Sequence, residues 1–193
     1  AAPVTVAEMP AHLPGAVGGT HPDEVFRRLL FFGMVRPYKG LDVLLRALPA
    51  DVALTVAGEF WSGLAETRQL IAELGLDVEL KPGYVPAGQI PALFAGADAL
   101  VLPYRSATAS QNAHMAFEYG IPVIATRAGG FAAQVREGID GLLAEPGDVA
   151  SLGDALKRFY AEGEPARLRA GVRRPDPEPV WAAYLRALAY AGS

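Results

Sequence analysis

The chain has 193 residues, of which 51% are hydrophobic and 20% are charged, which predicts an ordered domain with a large buried core. Its formal net charge is -4, and cations and anions are mixed without a basic run, so nucleic acid and anionic membranes are excluded as main partners. The chain has no cysteine, which predicts a cytoplasmic protein without disulfides. Its three histidines are scattered, so no metal site is expected. No apolar stretch reaches about 20 residues, so no integral membrane segment is expected.

Residues 1–24 are rich in proline and glycine and predict a linker or lead-in segment. From Leu29 onward, short apolar runs alternate with longer amphipathic segments. The apolar runs predict strands at 28–35, 52–58, 77–84, 99–104, 121–126 and 141–145. The amphipathic segments predict helices at 41–48, 64–75, 89–97, 112–120, 129–138 and 149–163. Strands that are apolar on both faces and separated by helices are typical of an α/β fold. We therefore expect residues 25–175 to form a Rossmann-like, doubly wound parallel sheet of about six strands with helices on both faces.

The end of the chain departs from this alternation. A proline-rich break is followed by an aromatic-bearing helix, predicted at 176–193. A self-contained sheet does not need this helix, so we expect it to pack against another part of the protein.

Two cations stand at the first junction between a strand and a helix, in LLFFGMVRPYKGLDVLL. In open α/β sheets, ligands bind beyond the carboxyl ends of the strands, where helix N-termini are partly positive. Arg36 and Lys39 add full charges there, Gly33 permits close backbone approach, and Lys39 precedes Gly40 at the start of the helix. A phosphate or diphosphate suits this junction. The alternative interpretation is a solvated pair of surface cations.

Two further junctions point to the same edge of the sheet. In RSATASQN, small hydroxyl and amide residues lead into a helix, and Ser106, Thr108 and Ser110 are candidate N-caps that leave N–H groups open to an oxyanion. In ATRAGGF, Gly129 and Gly130 separate a strand from a helix. Ordinary helix capping and a tight turn are the alternative explanations. Together the three junctions predict a rim of hydrogen-bond donors.

At these residues the sequence resembles the C-terminal domain of retaining nucleotide-sugar glycosyltransferases with the GT-B fold, in the large group 1 (family 4) class. The resemblance runs in order from about Leu29 to Leu188. The matching stretches are FFGMVRPYKGLDVLL, VAGEFW, GYVPAGQIPALFAGADALVLPY, EYGIPVIAT, AGGFAAQVREGIDGLLAEPGD and VWAAYLRALA. In that family this domain holds the sugar nucleotide, and an N-terminal domain, which this sequence does not include, mainly binds the acceptor. The terminal helix would then pack toward that N-terminal domain.

The family pattern G-R-x-x-x-x-K-G places its Arg and Lys on the donor diphosphate. Lys39 and Gly40 match this pattern directly, whereas the Arg position is Met34 here. Because side chains return to one face of a strand every two residues, we expect Arg36 to substitute for the missing arginine.

The same resemblance implies a nucleobase contact at Tyr84 and Val85, largely through backbone groups. It also implies that Glu59 lines the cleft, whereas a solvated loop glutamate is the interpretation that the residue itself favours.

The paired glutamates of the family, which contact the donor sugar and ribose, are absent: their positions are Ala107 and Met115. The glutamate usual after the GG turn is also missing. Glu118 lies one helical turn beyond Met115, and we expect it not to replace the pair.

Some branches of the family carry a hydroxyl-rich segment similar to RSATASQN instead of the glutamates. This version implies that Ser110, Gln111 and Asn112 hold the phosphate or sugar at the helix N-terminus. It also implies that His114 or Met115 faces the ribose, whereas a lone histidine on an apolar helix is alternatively a core or rim residue.

The resemblance implies a hexosyl-type glycosyltransferase (EC 2.4) that uses a UDP- or GDP-linked sugar, with retention and without a metal, and that is inactive without its N-terminal domain. Three other functions stay open. A sugar-nucleotide epimerase or hydrolase of the same fold would share the phosphate site but needs carboxylates to move protons or water. A degenerate domain would bind nucleotide or a partner without catalysis, which the missing acidic pair suggests. A flavodoxin-like receiver needs an acidic cluster at the strand ends, and none is present.

Overall fold

The structure is a computed structural model that describes residues 24–107 and 111–173 and the positions 182, 185 and 186. The predicted lead-in segment, apart from residue 24, lies outside the described residues. The predicted C-terminal helix also lies outside them, apart from those three positions.

Within the described residues, six parallel strands form one sheet in the order β3-β2-β1-β4-β5-β6. The strands are β1 (Arg28–Phe32), β2 (Ala53–Gly58), β3 (Val78–Pro82), β4 (Ala99–Leu102), β5 (Val123–Thr126) and β6 (Gly141–Ala144). The prediction of a Rossmann-like sheet of about six strands is confirmed. The central strands are buried along almost their whole length, as expected for a parallel sheet that is covered on both faces.

Helices cover both faces of the sheet. Those described are α1 (Leu41–Ala47), α2 (Leu64–Leu74), α3 (Ile90–Ala95), α4 (Gln111–Glu118), α5 (Phe131–Gln134), α6 (Val149–Phe159) and α7 (Glu164–Gly171). Alternate side chains of β1 enter two separate apolar layers. Leu29 and Phe31 pack with α1 and α6, and Leu30 and Phe32 pack with α3, α4 and α5.

Strand β1 ends earlier than the sequence predicts. Gly33 has a φ of 97°, and the chain turns there instead of continuing to residue 35. Val35 instead forms an isolated parallel bridge with Phe60 in the loop after β2.

Helix α5 is much shorter than the predicted helix at 129–138, because polar groups beyond it satisfy the backbone in another way. The amide N–H of Arg136 donates to Asp140 Oδ1 at 2.8 Å, and the amide N–H of Leu143 donates to Glu137 Oε2 at 2.6 Å. These bonds stabilise a turn and a bridge in competition with the helix. Helix α7, which the sequence analysis does not predict, begins after Gly163 in the left-handed conformation and has proline in its first turn.

The order of strands reverses between β1 and β4, which are adjacent in the sheet but distant in sequence. The connections that follow these two strands lead to helices on opposite faces, α1 on one and α4 on the other. This arrangement opens a crevice at the carboxyl ends of β1 and β4, the place where open α/β sheets bind ligands.

No helix in the described part of the chain is long and apolar enough to cross a membrane.

Gly40 is expected to be essential for the crevice, because it has a φ of 67° and a Cβ atom there would lie 2.1 Å from the carbonyl oxygen of Pro103. We predict that Gly40→Ala lowers the free energy of unfolding by about 1–3 kcal/mol more than Gly75→Ala. Gly75 is a matched control because its φ is 63° and nothing lies within 4 Å of its ideal Cβ. Urea denaturation of both variants measures the difference, and equal losses would contradict the prediction.

Candidate functional site

Two loops and one helix build the crevice at the carboxyl ends of β1 and β4. The loop after β1 contains a short 3-10 turn, Pro37–Lys39, and leads into α1. The loop after β4 runs from Pro103 toward α4. This is the edge of the sheet at which the sequence analysis placed a phosphate site.

Arg105 fastens the two loops together. Its backbone N–H donates to the carbonyl oxygen of Tyr38 at 2.7 Å, and its Nη1 donates to the carbonyl oxygen of Pro37 at 2.8 Å. Nη1 and Nη2 also bind both carboxylate oxygens of Asp42, at 2.8 and 2.6 Å. Hydrogen bonding from Arg105 holds the pKa of Asp42 below its ordinary value. The geometry of the crevice therefore depends on a bidentate ion pair that the sequence analysis missed. The only signal in the sequence was an arginine directly after the buried strand and its Pro-Tyr pair.

Lys39 is a buried cation at the centre of the crevice, with only 8% of its surface exposed. Its Nζ lies 5.2 Å from the centroid of the Tyr104 ring. Among the described residues, no carboxylate or other acceptor forms an ion pair or hydrogen bond with this ammonium group. Burial lowers the pKa of Lys39, and the neighbouring charge of Arg36 lowers it further against the opposing effect of Tyr38. A buried cation without an anion destabilises the folded protein unless a ligand supplies the charge.

Gly33 separates Lys39 from the amide of Asn112. Asn112 Nδ2 donates to the carbonyl oxygen of Phe32 at 2.9 Å, so this side chain ties α4 to the end of β1. A Cβ atom at position 33 would lie 3.2 Å from Asn112 Nδ2 and 3.7 Å from Lys39 Nζ. Because glycine occupies the position, the ammonium and the amide border the same small open volume. The structure thus brings together three predicted site residues: Gly33, Lys39 and Asn112.

Arg36 has a different environment from Lys39. Its guanidinium carbon lies 3.7 Å from the centroid of the Trp61 ring, and its Nε donates to Met34 Sδ at 3.1 Å. Arg36 therefore contacts the side chain at the family's arginine position, and its substitution for that arginine stays a prediction. The contact is made within a loop and not along a strand, because β1 has already ended.

The other residues predicted on the nucleobase side lie in the loops after β2 and β3. Tyr84 is 85% exposed, whereas Val85 is half-buried and packs against the second apolar layer. The side chain of Glu59 is exposed, and its carbonyl oxygen accepts from the N–H of Val35 at 2.8 Å.

Helix α4 carries the remaining predicted residues, except Ser110, which lies outside the described residues. Gln111 is exposed, and Met115 is half-buried against the second apolar layer. His114 Nε2 lies 3.2 Å from Gln134 Nε2 of α5. Glu118 is in the last turn of α4, and burial raises its pKa. It lies six residues from Asn112, about 9 Å along the helix axis and away from the crevice.

Within the described ranges, no group of three or more histidine and acidic side chains could hold a metal ion. That the protein works without a metal stays a prediction.

Comparison with known proteins identifies a family from the sequence and a shared fold from the structure. The family model for "Glycosyl transferases group 1" matches residues 26–162. A curated relative, the D-inositol 3-phosphate glycosyltransferase of Pseudarthrobacter chlorophenolicus, is 34% identical over 145 residues, which cover 68% of this chain and 34% of the relative. The chain thus spans about a third of the length of the curated relatives it matches.

Two solved structures share the fold. HepE of Anabaena in complex with UDP-glucose matches with a TM-score of 0.75 at 23% identity, covering 84% of this chain and 48% of HepE. The C-terminal domain of the group 1 glycosyl transferase family protein LpcC of Francisella tularensis matches with a TM-score of 0.66 at 20% identity, covering 80% of this chain and 84% of that domain.

The Asp42–Arg105 ion pair should make stability depend on acid pH. Since the folded pKa of Asp42 is lowered, the pair stabilises the protein above the ordinary pKa of 3.8, and this stabilisation is lost as the pH falls through the folded pKa. Both side chains are partly exposed, so we predict that Asp42→Asn lowers the free energy of unfolding by about 0.5–1 kcal/mol at pH 6. At pH 3 the difference between wild type and variant should shrink. Denaturant titrations at both pH values measure it, and a difference that grows in acid would contradict the prediction.

Proposed function

The chain belongs to the group 1 family of glycosyl transferases, and we propose that it is the domain that binds the donor, a nucleoside-diphosphate sugar. One observation carries the proposal: Lys39 presents a buried ammonium group without an anionic partner among the described residues, beside Asn112 and at the crevice between β1 and β4. A diphosphate supplies the negative charge that this position lacks.

The relatives support the same class of donor. HepE was solved with UDP-glucose, and other relatives are named for glycosyl transfer to D-inositol 3-phosphate. Because the chain spans only about a third of the curated relatives, we propose that further residues of the full protein bind the acceptor. The predicted N-terminal acceptor domain and a UDP- or GDP-linked hexose are part of this proposal.

In the proposed reaction, the bond between the anomeric carbon of the sugar and the β-phosphate oxygen breaks, and its electron pair leaves with the nucleoside diphosphate. An acceptor hydroxyl oxygen bonds to the anomeric carbon, and its proton passes to the leaving phosphate oxygen. The ammonium of Lys39 stabilises the negative charge that develops on the diphosphate. Since the charge sits in a buried position before the donor arrives, little reorganisation is needed when the bond breaks. We propose that this step retains the configuration of the anomeric carbon and needs no metal ion.

The nucleobase would lie toward Tyr84 and Val85, and the ribose toward His114 and Met115. These assignments, and those of Glu59, Ser110 and Gln111, stay predictions. Neither Ala107 nor Met115 can supply the carboxylates of the family's glutamate pair. We propose that Asn112, which is fixed to the end of β1, contributes a neutral hydrogen bond to the donor in that part of the site.

Family membership favours transfer over the two other enzyme classes considered from sequence, epimerisation and hydrolysis. A non-catalytic domain that binds no nucleotide would keep the fold without keeping a buried, unpaired cation, because such a cation would lower its stability without a compensating role. We also propose a cytoplasmic location, where sugar nucleotides serve as donors.

The charge of Lys39 should govern donor affinity. Charge-assisted hydrogen bonds contribute about 1.5–3 kcal/mol, so we predict that Lys39→Met weakens UDP binding by roughly 10- to 100-fold in calorimetry. Lys157→Met, on the exposed surface of α6, is the matched control and should leave binding unchanged. The free energy of unfolding of Lys39→Met should equal or exceed that of wild type, because the variant removes a buried charge. Absence of UDP and GDP binding to the wild-type chain at millimolar concentration would overturn the proposed function.

The lowered pKa of Lys39 also predicts how donor binding depends on pH. The ammonium form binds the diphosphate, so affinity should fall as the pH rises through the folded pKa, which lies below 10.5. Titration of the nucleotide affects both proteins equally, so it cancels in the ratio of the UDP affinities of wild type and Lys39→Met. This ratio should decrease between pH 7.5 and the folded pKa. A ratio that stays constant up to pH 10.5 would contradict the assignment.

A further inference from the structure

The ammonium group of Lys39 lies against the ring of Tyr104. Lys39 Nζ is 5.2 Å from the centroid of this ring, which is within the distance of about 6 Å at which a cation is attracted to the face of an aromatic ring. Both residues are buried, and the attraction is stronger where water is excluded. The ring therefore stabilises an ammonium group that has no carboxylate partner among the described residues.

The position of the Tyr104 ring is set by its neighbours. Tyr38 packs against it edge-to-face, with the ring centroids 5.9 Å apart and an angle of 89° between the ring planes. Phe131 of α5 packs in a similar way, at 5.2 Å and 77°. The backbone is also fixed, because Thr126 Oγ1 at the end of β5 donates to the carbonyl oxygen of Tyr104 at 2.5 Å. The ring is thus held by the loop after β1, by β5 and by α5.

An aromatic ring differs from a carboxylate in the charge that it leaves for a ligand. A carboxylate beside Lys39 would offset the positive charge and would repel a diphosphate. A ring attracts the ammonium through its quadrupole and has no net charge, so the positive charge of the crevice is retained. Position 33 is a glycine whose ideal Cβ would lie 3.7 Å from Lys39 Nζ, and the absence of a side chain leaves room there for a phosphate oxygen.

The next residue of the same loop shows the contrasting arrangement. Arg105 binds both carboxylate oxygens of Asp42, so its charge is offset within the protein. Arg105 joins two loops, whereas Tyr104 contacts a cation without offsetting its charge. Two adjacent residues after β4 therefore contribute to the crevice in different ways.

We propose that Tyr104 is a positioning residue for donor binding: its ring takes the place of a counter-ion and holds the Lys39 ammonium at the crevice. This inference rests on the proposed function, because it takes the donor diphosphate to bind at Lys39. Without the ring, the flexible lysine side chain would turn its charged end toward water. The arrangement that binds the donor would then be populated for only part of the time, and the affinity for the donor would fall by that fraction.

The test compares two substitutions of Tyr104 in the full 193-residue chain, with UDP affinity measured by calorimetry. Tyr104→Phe keeps the ring and should change UDP affinity by less than about twofold. Tyr104→Leu removes the ring and should weaken UDP binding by about three- to tenfold, as expected for loss of a buried cation–π contact.

Phe159→Leu is the matched control for loss of a buried ring. Phe159 belongs to α6 and the first apolar layer, and it packs edge-to-face against Tyr160 at 5.0 Å. Its replacement should lower the free energy of unfolding, as Tyr104→Leu does, and should leave UDP affinity unchanged.

A double-mutant cycle separates the positioning of Lys39 from a general effect on packing. In the Lys39→Met background no ammonium group remains to be positioned, so Tyr104→Leu should cause no further loss of UDP affinity. A packing defect that disturbs the crevice would weaken UDP binding in both backgrounds.

The pH dependence of UDP binding gives a second measurement. The titratable or charged groups on the elements around this ammonium are Arg36, Tyr38, Tyr104, Arg105 with its partner Asp42, and His114 of α4. Burial lowers the pKa of Lys39, and loss of the ring should lower that pKa further, because the ring favours the charged form. UDP affinity should therefore begin to fall at a lower pH in Tyr104→Leu than in wild type. Tyr104→Phe, which removes only the phenol hydroxyl, should follow the wild-type profile.

Three results would overturn the inference. One is UDP binding by Tyr104→Leu that is as tight as in wild type. The second is an equal loss of affinity in Tyr104→Phe and Tyr104→Leu, and the third is an equal effect of Tyr104→Leu with and without Lys39. If Tyr104→Leu does not fold, Tyr104→Met gives the same comparisons. Failure of UDP to bind the wild-type chain is a different result, because it overturns the proposed function and not only the role of Tyr104.

Discussion

The crevice depends on a cation that the protein buries without neutralising. Lys39 could have been paired with an acidic side chain, as Arg105 is with Asp42 only a few residues away. Instead its ammonium lies over the ring of Tyr104 and beside a glycine, and burial lowers its pKa. The packing of the strands on either side offsets this loss of stability. The buried ammonium of Lys39 lowers the stability of the free protein, and a bound diphosphate would neutralise it. Neutralisation would therefore favour the complex.

The surrounding structure holds that cation in place with few interactions. Gly40 lets the start of α1 approach the carbonyl oxygen of Pro103, and Arg105 locks the same two loops from the outside. Asn112 ties α4 to the last residue of β1. These contacts join elements on both sides of the point where the strand order reverses. The described loops of the site are therefore joined to each other and to the sheet by specific hydrogen bonds.

The two cations that the sequence places in one short loop have different neighbours in space. Lys39 is directed into the crevice between β1 and β4, and Arg36 is directed across the loop after β2. Chain order alone therefore does not show which contacts the two cations make.

The sequence alone determined the class of fold, because buried parallel strands need unbroken apolar runs and the helices between them need amphipathic ones. It also predicted a candidate site at the loop after β1 and the start of α4, since glycine, cations and small polar residues are concentrated there. The length of α5 was not determined in this way, because side chains such as Glu137 and Asp140 compete for the backbone N–H groups beyond it. Helix α7 was missed for a similar reason: glycine and proline signal a break as readily as a helix start.

Only the tertiary structure decided what each charged residue does. Arg36, Lys39 and Arg105 are all cations at strand ends in the sequence. Their partners are a tryptophan, a tyrosine ring and an aspartate, and these lie between 25 and 65 residues away along the chain. What a charged side chain binds depends on its distances to other charges and to solvent. Those distances cannot be read from the order of residues along the chain. The sequence could therefore predict the edge of the sheet at which a ligand would bind, while the folded sheet determined which of these cations has a carboxylate partner.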